Sequence, residues 1–87
     1  RVKTELSDEY FWFGALNEAR QEAMIDLSFN LGQTRLRGFK KALDAMSTED
    51  FHRAADEFMD SLWAKQVGYR AYEVSEMIRT GVYQEEY

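Results

Sequence analysis

Apolar residues recur along this chain at the three- and four-residue spacing of amphipathic α-helices, and strand-like alternation is never sustained. The clearest pattern places apolar side chains at i, i+3, i+4, i+7, i+8 and i+11: Phe51, Ala54, Ala55, Phe58, Met59 and Leu62. No proline interrupts the pattern, and five glycines punctuate it. We therefore predict an all-α fold, a compact orthogonal bundle of about six or seven short helices around a central buried helix.

The predicted central helix begins after Asn17, whose side chain can cap its N-terminus. It carries more apolar residues than one face can hold, so it should be buried on more than one side: Ala23, Met24, Ile25, Leu27, Phe29 and Leu31. Gly32 should end this helix in a left-handed conformation, which glycine adopts without a Cβ penalty. We expect Met24, Leu27 and Phe58 to form the central contact of the core.

The N-terminal region is predicted to hold two short helical segments. Residues 1–6 resemble the end of one helix, and Ser7 should cap a second helix that runs to about Leu16. Four consecutive aromatic residues, 10–13, fall inside that second helix. Because one helix face cannot hold four adjacent residues, some of these rings must either pack against a neighbouring element or stay exposed.

Capping residues bound the helices of the second half. Gly38 should cap a helix that buries four apolar residues: Phe39, Ala42, Leu43 and Met46. Ser47 should cap the next helix, because its hydroxyl can bond a free backbone N–H in the first turn. Residues 62–66 should form a brief helix around Trp63, which is expected to anchor core packing. Gly68 breaks the chain after it, and the last helix should span about residues 69–80.

Composition narrows the functional classes. The 87 residues carry a net charge of −5, whereas a nucleic-acid binder is normally basic, so DNA binding through residues 33–46 is disfavoured. A local basic run stands against this balance: Arg35, Arg37, Lys40 and Lys41. It is either a solvated turn and helix start or a contact surface for an anionic polymer such as peptidoglycan.

Several kinds of site are not expected. The chain has no cysteine and one histidine, His52, so we predict no disulfide, no metal site and no cofactor. No stretch approaches the roughly 20 apolar residues of a membrane span. The serines have no histidine partner nearby in the sequence, which gives nucleophilic serine chemistry no support.

Carboxylates are abundant, and a glycosidase needs two of them about 5–9.5 Å apart, one desolvated enough to stay protonated. Three pairs have helical spacing: Glu18 and Glu22, Asp56 and Asp60, and Glu73 and Glu76. We expect all of them to lie on polar helix faces, where both members are ionised and hydrated. No catalytic residue is therefore assigned within this segment.

A series of landmarks runs through the chain: Phe29-Asn30-Leu31-Gly32, Gly38-Phe39, Ala54-Ala55, Ser61, Trp63, Gln66, Arg70-Ala71 and Arg79-Thr80-Gly81. In order and spacing, without an insertion, they resemble the C-terminal lobe of phage-type lysozymes. These are the peptidoglycan-cleaving endolysins of the T-even phage kind, glycoside hydrolase family 24. The resemblance implies a parent enzyme that hydrolyses the β-1,4 bond between N-acetylmuramic acid and N-acetylglucosamine.

The resemblance also implies how the parent enzyme is organised. Its catalytic glutamate and aspartate belong to a small N-terminal lobe, so residues 1–87 are expected to form a single helical domain, the C-terminal lobe, with the catalytic lobe absent. A first residue of Arg1 rather than Met fits either a segment of a longer protein or a processed N-terminus. The segment alone should not cleave peptidoglycan. By resemblance the enzyme is made in the host cytoplasm and attacks the wall in the periplasm. We expect a monomer.

Four residues of this lobe are expected to bind substrate. By resemblance, Phe29 and Asn30 line the cleft floor, where the glycan strand and its peptide stem pass. Arg70 would reach across the cleft to the catalytic glutamate of the missing lobe, with Gln66 beside it. Spacing alone favours Phe29 as a core residue, and the resemblance makes the two interpretations of Phe29 equal. The alternative for Arg70 is an exposed arginine on the last helix.

The chain departs from the family pattern at several positions. Ala42 and Glu57 replace small polar or amide side chains that contact substrate, and Val67 replaces a hydroxyl residue near the cleft. These changes bear on substrate choice more than on fold. The alternative function is a non-catalytic helical module that binds a protein partner or a wall polymer through the exposed part of residues 10–13.

Overall fold

The computed structural model describes residues 2–84 as six α-helices and one short 3-10 helix, with no strand in that range. The α-helices are α1 (Val2–Glu9), α2 (Glu18–Arg37), α3 (Lys40–Ser47), α4 (Phe51–Met59), α5 (Leu62–Val67) and α6 (Tyr69–Thr80). The 3-10 helix spans Phe13–Ala15. The all-α prediction is confirmed. None of the helices in residues 2–84 combines the length and apolar character needed to cross a membrane.

One apolar core holds the helices together. Met24, Leu27 and Phe58 are completely buried in it, as predicted. Helix α6 packs against α2, α4 and α5, and α4 also packs against α3. The central position predicted for α2 is therefore shared with α6, which carries the fully buried Val74 and Ile78.

Helix α2 begins and breaks where the sequence predicted. The side-chain oxygen of Asn17 accepts a hydrogen bond from the backbone N–H of Arg20 at 3.0 Å. At Gly32 the backbone leaves the helical region (φ 79°, ψ 160°), which produces a kink before the last turn to Arg37. The positive φ is as predicted, but ψ is extended rather than left-handed helical. Such a conformation is essentially restricted to glycine.

The N-terminal region differs from the prediction. Ser7 lies inside α1 and caps no second helix, because α1 continues unbroken to its end at residue 9. The aromatic run divides between the core and the surface. Tyr10, Trp12 and Phe13 are buried, with the first two rings stacked 5.0 Å apart between centroids, whereas Phe11 is almost fully exposed.

The junction of α3 and α4 also corrects a predicted cap. Ser47 ends α3, and its hydroxyl donates to the carbonyl of Asp44 at 2.6 Å. Asp50 caps α4 instead, accepting from the backbone N–H three residues on at 3.4 Å. Similarly, Phe39 rather than Gly38 holds the N-cap position of α3. Several residues able to cap lie side by side here, so local preference alone could not choose among them.

Helix α4 ends earlier than its apolar pattern suggested. The chain turns after Met59, and the hydroxyl of Ser61 caps α5 by accepting from the backbone N–H of Ala64 at 3.2 Å. Leu62 starts α5, as predicted, but it is exposed rather than buried. Gly68, at φ 64°, separates α5 from α6, and α6 then follows over the predicted residues.

Candidate functional site

Asn30 and Arg70 are two of the four predicted substrate-binding residues. Both bond to Asp26 of α2, where α2 packs on α6. One Asp26 side-chain oxygen accepts from Nη2 of Arg70, and the other accepts from Nδ2 of Asn30 at 3.0 Å. Asn30 also donates to the backbone oxygen of Asp26 at 2.8 Å. No sequence motif singled out Asp26, although its spacing places it one turn before Asn30 on the same helix face.

Glu73 completes this group. Nη1 of Arg70 donates to Oε1 of Glu73 at 3.3 Å across one turn of α6. Among the charged residues of 2–84, Glu73 alone is buried, so its predicted place on a hydrated face is wrong. A buried carboxylate needs a cation and hydrogen-bond donors, and Arg70 supplies both. We call Asp26, Asn30, Arg70 and Glu73 the Arg70 cluster; its formal charge is −1.

Phe29 lies beside the Arg70 cluster and points outward. Its side chain is 72% exposed, so the interpretation of Phe29 as a core residue is wrong. It shares a face of α2 with Asp26, three residues earlier. An exposed ring next to a polar cluster gives this edge of the protein both apolar and hydrogen-bonding character.

Gln66, the fourth predicted site residue, stands apart from this group. It lies on α5 and is exposed, and its side chain makes no hydrogen bond within residues 2–84. Its proximity to Arg70 remains a prediction. Trp63, three residues earlier on α5, is buried as expected of a packing residue.

A pocket of about 510 Å³ lies between the start of α3 and the end of α4. Its lining has a basic side and an acidic side: Arg35, Lys40 and Lys41 against Glu57 and Asp60. The remaining lining residues are Gly38, Phe39, Ala42 and Ser61. We call this the α3–α4 pocket. It gathers three of the four residues of the basic run and two of the positions that depart from the family pattern.

Arg37, the remaining member of the basic run, is held elsewhere. Its Nε and Nη2 donate to the two carboxylate oxygens of Glu9 at 2.9 and 3.1 Å, which joins α1 to α2. The hydrogen bond from Arg37 lowers the pKa of Glu9 and raises that of Arg37. The neighbouring Tyr10 has a raised pKa, chiefly because it is buried.

A second arginine group lies at the far end of α6. Arg79 donates to Asp56 on α4 at 2.8 Å, to Glu76 at 3.0 Å and to the backbone oxygen of His52 at 3.4 Å. The hydrogen bonds to Asp56 and then Glu76 raise the pKa of Arg79. We call Arg79, Asp56 and Glu76 the Arg79 cluster. It braces α4 against α6 and lies at the Arg79-Thr80-Gly81 landmark.

Two side chains of α2 and its cap bind the C-terminal end of α6. Arg20 donates to the carbonyl of Ile78 at 2.7 Å and to that of Arg79 at 3.2 Å, while Asn17 donates to the carbonyl of Gly81 at 2.8 Å. The Arg20 guanidinium also lies 3.7 Å from the centre of the Phe51 ring. Burial lowers the pKa of Arg20. These carbonyls have no partner within the helix, so this contact stabilises its end.

Two other kinds of site, a metal site and an aromatic contact patch, have little support within residues 2–84. Within residues 2–84, no cluster of three or more histidine or acidic side chains could hold a metal ion. The exposed part of the aromatic run, proposed as the contact patch of an interaction module, consists of Phe11 alone. The apolar contribution of that patch is therefore a single ring.

Comparison with known proteins points to a phage. No family model matches the chain. The chain is similar to the pre-baseplate central spike protein Gp5 of Enterobacteria phage T4, with 36% identity over 67 residues. The match covers 77% of this chain but only 12% of the relative, so the chain spans a small part of that protein's length. The similarity supports a phage origin for the chain.

Proposed function

We propose that this chain is the C-terminal lobe of a phage lysozyme, and that its parent protein hydrolyses the β-1,4 bonds of peptidoglycan. The observation that carries the proposal is the placement of Arg70. It lies half-exposed at the α2–α6 edge, bonded through Asp26 to Asn30 and flanked by the exposed Phe29. The landmark resemblance and the similarity to a T4 phage protein support the same conclusion.

In this proposal the chain supplies one wall of the cleft, and the acids come from another part of the parent protein. A guanidinium has five N–H donors, of which Arg70 uses one toward Asp26 and one toward Glu73. Three donors therefore remain for a carboxylate across the cleft. A cation close to that carboxylate would offset part of the rise in its pKa that burial causes. Because Arg70 is already paired with two carboxylates, this effect is reduced, and orienting the acid would be its larger role.

The α3–α4 pocket is suited to the peptide stem that peptidoglycan carries on its sugars. Carboxylates of a stem would be attracted to the side with Lys40 and Lys41, and an ammonium group would be attracted to Glu57 and Asp60. Ala42 offers no side-chain hydrogen bond in this pocket. Selection of the stem would then depend on charge more than on neutral hydrogen bonds.

We further propose that the parent is a component of the phage particle rather than a free endolysin. The relative is named as a pre-baseplate central spike protein, and the matched segment is 12% of its length. A lysozyme lobe within such a protein would be delivered to the wall by the particle itself.

The test compares the parent protein with the 87-residue segment on purified peptidoglycan. Release of soluble muropeptides and the identity of their reducing ends are followed by mass spectrometry. We expect the parent to release fragments ending in N-acetylmuramic acid and the segment alone to release none. In the parent, Arg70→Ala should lower the rate at least about tenfold, whereas Arg53→Ala on the exposed face of α4 should not.

Two results would contradict the proposal. Hydrolysis by the isolated 87-residue segment would mean that the acids lie within it. A folded parent protein that binds peptidoglycan or another partner without cleaving any glycan would favour the non-catalytic interaction module instead. In that case Phe11→Ser would be expected to weaken partner binding, since Phe11 is the exposed ring of the aromatic run.

A further inference from the structure

Arg70 has two carboxylate partners, and they come from two different helices. Asp26 reaches Nη2 from α2, and Glu73 reaches Nη1 from its own helix, α6. Asn30 in turn donates to the free oxygen of Asp26, which restricts rotation of that carboxylate. The guanidinium plane is thus held at both of its terminal nitrogens.

The charge of Arg70 is already balanced inside this lobe. One cation and two carboxylates give the Arg70 cluster a formal charge of −1, so an outside carboxylate would not meet an unpaired cation. What the cluster offers such a group is a set of oriented N–H donors. Orientation therefore becomes the main contribution of Arg70, and it depends on Asp26 and Glu73.

We propose that Asp26 and Glu73 are positioning residues, which hold Arg70 in the direction it needs to engage the acid across the cleft. The proposal deepens the lysozyme function and rests on it. The Asp26–Arg70 pair is partly solvated, so its net contribution to stability is small. Its effect on the reaction rate is expected to be larger. Misplacing a group that contacts a reacting centre by about 1 Å can reduce a rate by as much as roughly 100-fold.

The test uses the parent protein with two near-isosteric changes, Asp26→Asn and Glu73→Gln. The matched control is Glu22→Gln, which removes an exposed carboxylate one turn earlier on α2. Hydrolysis of soluble glycan strands is measured as kcat and KM separately, and thermal melting reports the folded fraction. The Nη–H resonance of Arg70, observed by NMR at low temperature, reports on its bonding to Asp26 and Glu73 independently of activity.

For Asp26→Asn we expect kcat to fall roughly tenfold with KM changed less than about twofold, since ground-state binding of the strand does not need the positioned arginine. The Arg70 Nη–H resonance should move towards the position of unpaired arginines, because Asp26 is the partner of Nη2. Asp26→Glu should recover part of kcat, because it keeps the carboxylate on the same helix face. Glu73→Gln should act in the same direction, and Glu22→Gln should leave kcat, KM and the resonance unchanged.

A kcat within about twofold of the parent's for both Asp26→Asn and Glu73→Gln, alongside a large loss for Arg70→Lys, would overturn the proposal. Arg70 would then act without being held. If the unmodified parent cleaves no glycan, the lysozyme function fails. The NMR measurement then decides the positioning claim, because an Arg70 resonance insensitive to Asp26→Asn would refute it.

Discussion

Helix α6 carries an arginine cluster near each end, and the two have the same plan. Each consists of an arginine, a carboxylate three residues away on α6 and a carboxylate on a neighbouring helix. Near the start of α6 these are Arg70, Glu73 and Asp26 on α2; near its end they are Arg79, Glu76 and Asp56 on α4. Their exposures, however, are reversed.

In the Arg70 cluster the cation faces solvent and one acid is covered: the side chains of Arg70 and Glu73 are 47% and 10% exposed. In the Arg79 cluster the cation is covered and one acid faces solvent: Arg79 is 22% exposed and Asp56 70%. The first arrangement leaves donors available to a partner, whereas the second serves as a brace between α4 and α6. The cost of breaking an ion pair depends on how buried the remaining group is.

The largest expected effect concerns the apolar core beneath both clusters. If the core rather than the ion pairs holds α6 in place, Met24→Ala and Leu27→Ala should each lower the free energy of unfolding by about 2–5 kcal/mol. This is the range found for such buried substitutions, those in a phage lysozyme included. Denaturant unfolding measures it, with Leu62→Ala on the exposed start of α5 as the control. A loss below about 0.5 kcal/mol would show that these side chains are not packed as described.

The two arginines themselves provide the next test. Arg70→Met should lower the free energy of unfolding at pH 7 by about 2 kcal/mol, because Glu73 stays buried without its cation. Arg79→Met should lower it by about 1 kcal/mol, because Asp56 is solvated and needs no partner. The more exposed arginine is thus the costlier one to remove.

Double variants test whether the buried Glu73 carboxylate causes the larger loss of stability in Arg70→Met. Adding Glu73→Gln to Arg70→Met should recover much of the lost stability, since no buried charge then remains. Adding Asp56→Asn to Arg79→Met should change little. If Arg79→Met proved the more damaging substitution, burial of the cation rather than of its partner would govern the cost.

Gly81 tests the Arg79 end of α6 alone. Its φ is 74°, and a Cβ there would lie 2.9 Å from both Nη1 of Arg20 and Nδ2 of Asn17. Gly81→Ala should therefore lower the free energy of unfolding by about 1–2 kcal/mol through strain and displacement of those caps. Gly14→Ala is the matched control, because a Cβ at Gly14 meets nothing within 4 Å. Amide shifts should change around Arg79 and not around Arg70; equal changes at both ends would contradict a local effect.

These clusters show what a single sequence could and could not predict. The all-α class and the extent of α6 followed from apolar spacing and from glycines at positive φ, which local chemistry largely determines. The choice of Asp50 over Ser47 as a cap did not, because neighbouring residues compete and packing decides.

Long-range partners were hidden for a different reason. Arg20 bonds carbonyls 58 and 59 residues away, and Arg70 meets Asp26 across 44 residues. Helical spacing identifies which residues share a face, but not which face of another helix lies opposite. For that reason the landmarks could point to Arg70 and Asn30, while Asp26 as their link and Glu73 as a buried acid emerged only from the packing of α2 on α6.

The smallest expected effect belongs to a third ion pair, Glu9 with Arg37, whose members are both partly exposed. The hydrogen bond from Arg37 lowers the pKa of Glu9 below its ordinary value of 4.5. The carboxylate therefore stabilises the folded state fully above about pH 4.5, and this contribution is lost as the pH falls through the lower folded-state pKa. Glu9→Gln should melt slightly below the unmodified protein at pH 7.

That difference should shrink as the pH drops below 4.5 and vanish once Glu9 is protonated in both states. Glu5→Gln is the control, because Glu5 lies on the same helix, is exposed and forms no ion pair within residues 2–84. A difference for Glu9→Gln that persisted in acid would mean that the glutamate acts by packing rather than by charge. Because both members keep their hydration, this pair should be the weakest of the three, below the Arg79 cluster and well below the pairing of Arg70 with a buried acid.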